Sequence, residues 1–424
     1  MRLCNIHIHN FKCYDDLKIT HLHPRMNILL GNNGTGKSSL LEAIRVLIGS
    51  LYLSFDKYEN KLGAPGITDD DIRQAYLDTS LEPIIPSSVY AEAQVDSYGK
   101  DKDEDHPMKT IQWKRSVETL GGKTLYREAK EMLLHSKEIQ QSVRDGLKQD
   151  IPLVAFFSTD RYKKERKDTN VKPTGSRMQG YFNSLDTTTN LKFFLDLFYT
   201  ETLDQTQNET ESVLLKTVFH AVQKSLDCKN LKYMLKRKEL MVEYEDNPSF
   251  PFSMLSDGVR CTLAMVMELA FRCYLLNPHL GLEAPARTKG VVLIDEIDLH
   301  LHPSWQTHIL NDLRKTFPEI QFFVTTHAPL VISQIDDCSI YNIAERQIYD
   351  FPNQNGRDIN YIVEQMGVPY IHSDSKQKLD TYFGLIDSGK GKTEEALNLR
   401  KELEKLLGEK HAELLRADML LTFF

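Results

Sequence analysis

The chain has 424 residues, 41% hydrophobic and 26% charged, with a formal net charge of −8. That length and balance describe a globular protein of two or three domains with a large core, and the negative charge argues against non-specific coating of nucleic acid, leaving only a local basic patch for such a contact. No apolar run reaches about 18 residues, the first residues alternate like a strand, and the six cysteines have no CxxC spacing; we expect a cytoplasmic protein with reduced core thiols and no membrane partner.

In chain order, residues 6–11 alternate as a half-buried strand, and Met26 to Leu30 form a short apolar run. Gly31-Asn32-Asn33-Gly34-Thr35-Gly36-Lys37-Ser38 follows, a loop whose glycines let the backbone curl and turn its N–H groups inward. Residues 38–48 then place Leu40, Leu41, Ile44, Leu47 and Ile48 on one helical face. The helix presents its positive end to the loop, so the expected nucleotide cradle is Asn32, Asn33, Gly34, Thr35, Gly36, Lys37, Ser38 and Ser39. Residues 83–125 read as two or three antiparallel strands with an exposed acidic connection at 101–107, and 126–147 as helix. Leu153 to Phe157 form another apolar strand, followed by Ser158-Thr159-Asp160-Arg161. Two basic groups are candidate DNA contacts: Lys163, Lys164, Arg166 and Lys167, and Lys229, Lys232, Lys236, Arg237 and Lys238. Residues 189–225 read as helical. At the end, residues 392–407 and 412–424, closing on Phe423 and Phe424, read as a helical hairpin.

Three further segments carry chemistry. Val291-Val292-Leu293-Ile294 is a strand buried on both faces that ends in Asp295 and Glu296. Lys37 is expected to reach the β and γ phosphates of ATP, Ser38 and Asp295 to hold Mg2+, and Glu296 to act as general base on the attacking water. Leu255-Ser256-Asp257-Gly258 precedes a long amphipathic stretch, which puts Ser256 and Gly258 at a second helix N-terminus and a second anion site. Phe322-Phe323-Val324-Thr325-Thr326-His327 is a strand that delivers a histidine where a γ-phosphate sensor belongs.

The phosphate loop, Leu255 to Gly258, the run from Leu293 to Pro303, and Thr325-Thr326-His327-Ala328-Pro329 together resemble the SMC, RecF and OLD branch of ABC ATPases. The resemblance implies an α/β ABC-type ATPase head, a mixed β-sheet with a P-loop, flanking helices and an antiparallel β lobe, carrying a helical insert and a C-terminal helical extension. It implies lobe I over residues 1–160, the insert over 161–245, lobe II over 246–345 and a C-terminal helical region over 346–424. It also implies a homodimer with two ATP molecules sandwiched between heads, a higher oligomer staying open. Ser256 and Gly258 then contact the γ-phosphate in trans, His327 is the switch histidine, and Leu301-His302-Pro303 is the loop crossing the interface. One departure is Asp257 and Val259-Arg260 within the signature. Another is the missing glutamine after the strand ending at Phe157, which leaves Asp160 or Arg161 to couple the lobes.

The segments Asp387 to Lys390, Glu394 to Ala396 and Glu413 to Asp418 are similar to the ATPase subunit of Septu-type antiphage systems. That similarity implies a separate HNH-type nuclease subunit as partner and nucleotide-gated control of DNA cleavage. No DxD pair follows His327, so no nuclease domain is expected in this chain. Two alternatives stand beside this reading: a RecF/SMC-like DNA repair ATPase with DNA-stimulated turnover, and a slow nucleotide-sensing scaffold.

Overall fold

The computed structural model describes residues 1–55, 63–98, 108–162, 176–187, 191–226, 228–244, 247–367, 373–408 and 411–421. The acidic connection at 101–107, the basic group at Lys163, Lys164, Arg166 and Lys167, and Phe423 and Phe424 lie outside the described residues, as does the side chain of Arg161.

The N-terminal alternation produces β1 (Arg2–Phe11), paired antiparallel with β2 (Tyr14–Ile19). β3 (Met26–Leu30), in which every residue is buried, joins a different sheet and runs through the glycine loop into α1 (Lys37–Ile48). After a mostly exposed hairpin of β4 (Gln74–Leu77) and β5 (Ser80–Pro83), the chain returns as β6 (Ser87–Asp96) and β7 (Met108–Val117). These complete a four-stranded antiparallel sheet of order β2-β1-β6-β7. Trp113 on β7 is fully buried and its indole Nε1 donates to the Leu47 carbonyl at 3.1 Å, which ties this sheet to α1. α2 (Lys130–Arg144) packs beside β7.

β8 (Leu153–Phe157) is again buried throughout. Helices α3 (Leu191–Asn208) and α4 (Val213–Ser225) follow, then β9 (Asn230–Met234), β10 (Glu239–Tyr244) and β11 (Asn247–Pro251), a three-stranded antiparallel sheet. The segment 161–245, expected to be helical, therefore also holds the β9–β10 hairpin: Leu231, Leu240 and Val242 alternate inward while Lys232 faces solvent. Next come α5 (Asp257–Leu276), α6 (Ala284–Arg287), β12 (Gly290–Ile294), α7 (Pro303–Gln306), α8 (Ile309–Thr316), β13 (Ile320–Thr325), α9 (Pro329–Ile332), β14 (Ser339–Ala344) and β15 (Gln347–Phe351).

The central six-stranded sheet has the order β15-β14-β3-β13-β12-β8, all neighbours parallel except the β14–β15 pair. Parallel strands covered on both faces need near-continuous apolar sequence, and the polar residues Asn27 and Gln321, buried here, are satisfied by bonds. Asn27 accepts from the His23 N–H (2.8 Å) and donates to its carbonyl (2.9 Å). Gln321 accepts from the Leu3 N–H (2.8 Å) and donates to the Leu3 carbonyl (2.9 Å), stitching β1 to β13.

The chain forms two compact units, Met1–Gly356 and Arg357–Phe424. An expected boundary at 345/346 would split β14 from β15, whose antiparallel pairing keeps β15 with the sheet. The second unit holds α10 (Ile359–Gln365), α11 (Ser373–Asp387), α12 (Glu394–Leu407) and α13 (Ala412–Leu421). Thr393 caps α12 and Gly408, at φ 91°, ends it. The expected hairpin of α12 and α13 is present, and α11 joins it: Leu379, Tyr382 and Ile386 bury against Ala396, Leu403, Leu414 and Ala417. Among the described residues no helix is long and apolar enough to cross a membrane.

Candidate nucleotide site

Register brings the motifs to one edge. β13 pairs Thr325 with Leu29 of β3, and Val324 with Ile294 of β12. The glycine loop, Asp295 and His327 therefore all follow the carboxyl ends of adjacent parallel strands, where open α/β sheets bind ligands. In the loop, Gly36 has φ 114°, and a Cβ there would stand 2.7 Å from both Cys13 Sγ and Tyr14 Oη. Tyr14 Oη donates to the Gly36 carbonyl at 3.0 Å, so β2 holds the loop from below and only glycine fits. Gly34, at φ 81°, has open space around it and is required for its backbone conformation. α1 starts with no side-chain cap and no acidic residue in its first turn. Its leading N–H groups and positive dipole end are thus left to an external anion, which fits the phosphates expected there.

Lys37 is 6% exposed, and its ammonium donates to the carbonyls of Gly31 (2.8 Å) and Asn32 (2.9 Å), with His327 Nδ1 at 3.5 Å. Burial lowers its pKa, and the carboxylates of Asp295, Glu296 and Asp298 pull it back up. Ser38 Oγ donates to Asp295 Oδ1 at 3.2 Å. Two hard oxygen donors side by side are the protein's usual share of a Mg2+ site, the rest being water and phosphate. Glu296 sits in the left-handed region at φ 48°. Its carboxylate lies 4.0 Å from His327 Nε2, and both side chains are about one-third exposed, at 34% and 31%. Thr326 Oγ1 donates to Asp298 at 2.6 Å, beside the carboxylate pair.

Ser256 and Gly258 stand at the start of α5, as the sequence places them. Ser256 is exposed at the N-cap of α5, and its side chain makes no capping bond. Gly258 is buried, and a Cβ there would meet the His300 carbonyl oxygen at 2.2 Å and Leu301 Cα at 3.3 Å. The glycine thus lets α5 close on the loop that follows Asp295 and Glu296 in the same chain. Asp257 pairs with Arg260 at 2.7 Å, and His302 caps α7 by accepting from the Ser304 N–H.

Residues 26–333 match the family described as "AAA domain, putative AbiEii toxin, Type IV TA system". The chain belongs to this AAA-domain family. It is similar to "Retron Vc95 probable ATPase" of Vibrio cholerae serotype O1 biovar El Tor, 26% identical over 96% of this chain and 86% of that protein. It is also similar to "Septu protein PtuA" of Bacillus mycoides (strain KBAB4), 25% identical over 94% of this chain; the chain spans about half, 50%, of that relative's length. Among solved structures, an SMC head bound to the C-winged helix domain of ScpA aligns with 83% of this chain and 98% of its own, at 15% identity and TM-score 0.49.

In this AAA-domain chain the C-terminal parts of α1 and α5, the ends away from the candidate site, are joined by a strap, residues 176–187. Arg45 of α1 donates to the Leu185 carbonyl (3.1 Å), and Tyr52, just past α1, bonds Ser184 (2.6 Å). At the other end Arg272 of α5, fully buried, donates to the carbonyls of Gly180 (2.7 Å) and Phe182 (3.0 Å) while holding Glu268. Of the two residues expected to replace the missing glutamine, Asp160 is half-buried and its N–H donates to Ser158 Oγ, which itself donates to the Thr187 carbonyl. Sequence reasoning passed over Arg272, Tyr14 and Thr325. An arginine in a helix reads as a surface residue, and nothing local marks it as buried; Tyr14 and Thr325 lie in segments whose motif value sat in neighbouring residues.

Proposed function

We propose that this chain binds ATP with Mg2+ and hydrolyses it to ADP and phosphate. The observation that carries the reading is the chain of contacts at one sheet edge, Ser38 to Asp295 and Lys37 to His327 to Glu296, at the mouth of an uncapped helix. In this reading the N–H groups of residues 32–39 cradle the phosphates and Lys37 holds charge on the β and γ oxygens. Ser38 and Asp295 hold Mg2+, which supplies charge neutralisation at those oxygens. Glu296 orients the attacking water and accepts its proton, and His327 contacts the γ-phosphate. The exposed terminus at Ser256 completes the site of a second subunit, so two heads close on two nucleotides; Gly258 serves that arrangement by seating α5 on His300 and Leu301.

The names of the relatives, a Septu protein and a retron ATPase, support a place in an antiphage defence complex. There the nucleotide-driven dimer controls a partner nuclease of HNH type acting on DNA. The test is Glu296→Gln. Turnover should disappear while ATP stays bound and the dimer persists in size-exclusion chromatography. Unchanged phosphate release removes Glu296 from the base role, and equal nucleotide affinity in Lys37→Ala and the wild type overturns the whole reading.

A further inference from the structure

Thr325 is the last residue of β13 and is fully buried. Its single hydroxyl does two jobs. As donor it reaches Asp295 Oδ1 at 2.6 Å; as acceptor it takes the backbone N–H of Glu296 at 2.7 Å. A hydroxyl has one proton to give and lone pairs to receive with, so both bonds form together without competition. The Thr325 carbonyl adds a third tie, accepting from the Ile297 N–H at 3.0 Å. Glu296 is therefore flanked on both sides by bonds to one residue of the neighbouring strand. That matters because Glu296 has φ 48°, a left-handed conformation that an L side chain adopts only when its surroundings over-determine it. β12 would otherwise continue straight past Ile294, and a side chain at 296 in extended backbone would point elsewhere.

We propose that Thr325 is a positioning residue that sets both carboxylates at once: it turns Asp295 Oδ1 toward the Ser38 hydroxyl and locks the kink that aims Glu296. The inference rests on the ATPase reading for its consequence in turnover, and on geometry alone for its consequence at the cation site. Asp295 Oδ1 accepts from two hydroxyls, Ser38 on α1 and Thr325 on β13, so the carboxylate plane is fixed from two elements. Remove the Thr325 hydroxyl and Oδ1 loses the bond that holds it from β13, while the Ser38 bond from α1 stays. The Glu296 N–H then loses the Thr325 hydroxyl as acceptor, and the left-handed turn keeps its tie to β13 through the Ile297 N–H and the Thr325 carbonyl.

The chosen variants are Thr325→Val, Thr325→Ser and Thr325→Ala in the full chain. Valine keeps the branched shape that a strand accommodates and deletes the hydroxyl; serine keeps the hydroxyl. A hydrogen bond to a charged group contributes about 1.5–3 kcal/mol, which converts to roughly a 10- to 150-fold effect at about 1.4 kcal/mol per tenfold. Thr325→Val should lower kcat by that factor with KM for ATP within about threefold, because the phosphate cradle is untouched. It should also raise the Mg2+ concentration that half-saturates binding of a fluorescent ATP analogue by about tenfold. Thr325→Ser should stay within about threefold of the wild type on both readouts. A structural lesion alone would lower the unfolding midpoint of the valine and serine variants together and leave the Mg2+ half-saturation of the folded fraction unmoved.

A folded Thr325→Val protein with wild-type kcat and wild-type Mg2+ dependence overturns the inference. If that variant does not fold, Thr325→Ala is read by the same two measurements and the same criterion. If the wild type itself turns over no ATP, the ATPase reading falls while the Mg2+ dependence of nucleotide binding still decides the role of Thr325.

Discussion

Replacing Gly258 by alanine separates two roles for the residue. The added Cβ would stand 2.2 Å from the His300 carbonyl oxygen and 3.0 Å from its carbon, against an ordinary contact distance of 3.4 Å or more. Helix α5 or the His300–Leu301 backbone must therefore give way by roughly 1 Å, and neither neighbour is a flexible side chain that can rotate aside. Overpacking of this kind costs about 1–3 kcal/mol, and a backbone-on-backbone clash belongs at the upper end. His300 already sits at φ 63°, so its carbonyl has little freedom to swing away. The assay is urea unfolding of the isolated protein without nucleotide, with hydrogen exchange read at the start of α5 and at the His300 loop. The midpoint should fall and protection at both segments should drop, while affinity of the phosphate loop for ATP stays within about twofold. Unchanged unfolding and exchange, combined with loss of ATP-dependent dimerisation, would refute the packing argument and return Gly258 to a direct contact with the partner's nucleotide.

His135 on α2 is fully buried against Tyr98 with no hydrogen-bond partner for either ring nitrogen, and burial, aided by cationic neighbours such as Lys109, pushes its pKa down to about 3. The unfolded chain protonates it near its ordinary 6.5, so the unfolded state binds more protons below that value and stability falls with pH from about 6.5 towards 3. The loss reaches roughly 2 kcal/mol at pH 5, and His135→Phe should flatten that slope in denaturant titrations between pH 7 and 5; an unaltered slope places the proton uptake elsewhere. Arg272→Met removes the guanidinium from the Glu268 carboxylate and from two strap carbonyls, and should cost roughly 3–5 kcal/mol in chemical unfolding. Pairing it with Glu268→Met should recover part of that loss, and a double variant no more stable than the single one contradicts a buried-pair origin.

Much of the site was readable from local sequence because its determinants are local. Glycines at 31, 34 and 36 permit φ values of 144°, 81° and 114° whatever surrounds them, the apolar run before Asp295 can only be a doubly buried strand, and the stripe on α1 specifies its buried face. The same holds for the C-terminal helices, whose caps at Thr393 and Gly408 are written in the chain.

Tertiary structure decided the rest, because the deciding partners are far away in sequence. Thr325 meets Asp295 only through the parallel pairing of β12 and β13, and no periodicity announces which strand will lie beside which. Gly258 looks like any helix-start glycine until His300, some forty positions on, closes against it. Arg272 reads as a surface cation and ends in the core, since the strap carbonyls and Glu268 that satisfy it are assembled by packing. The residues proposed to bind an anion are thus specified by backbone freedom and helix polarity along the chain, whereas those proposed to aim the carboxylates are specified by strand order, a property of the folded sheet.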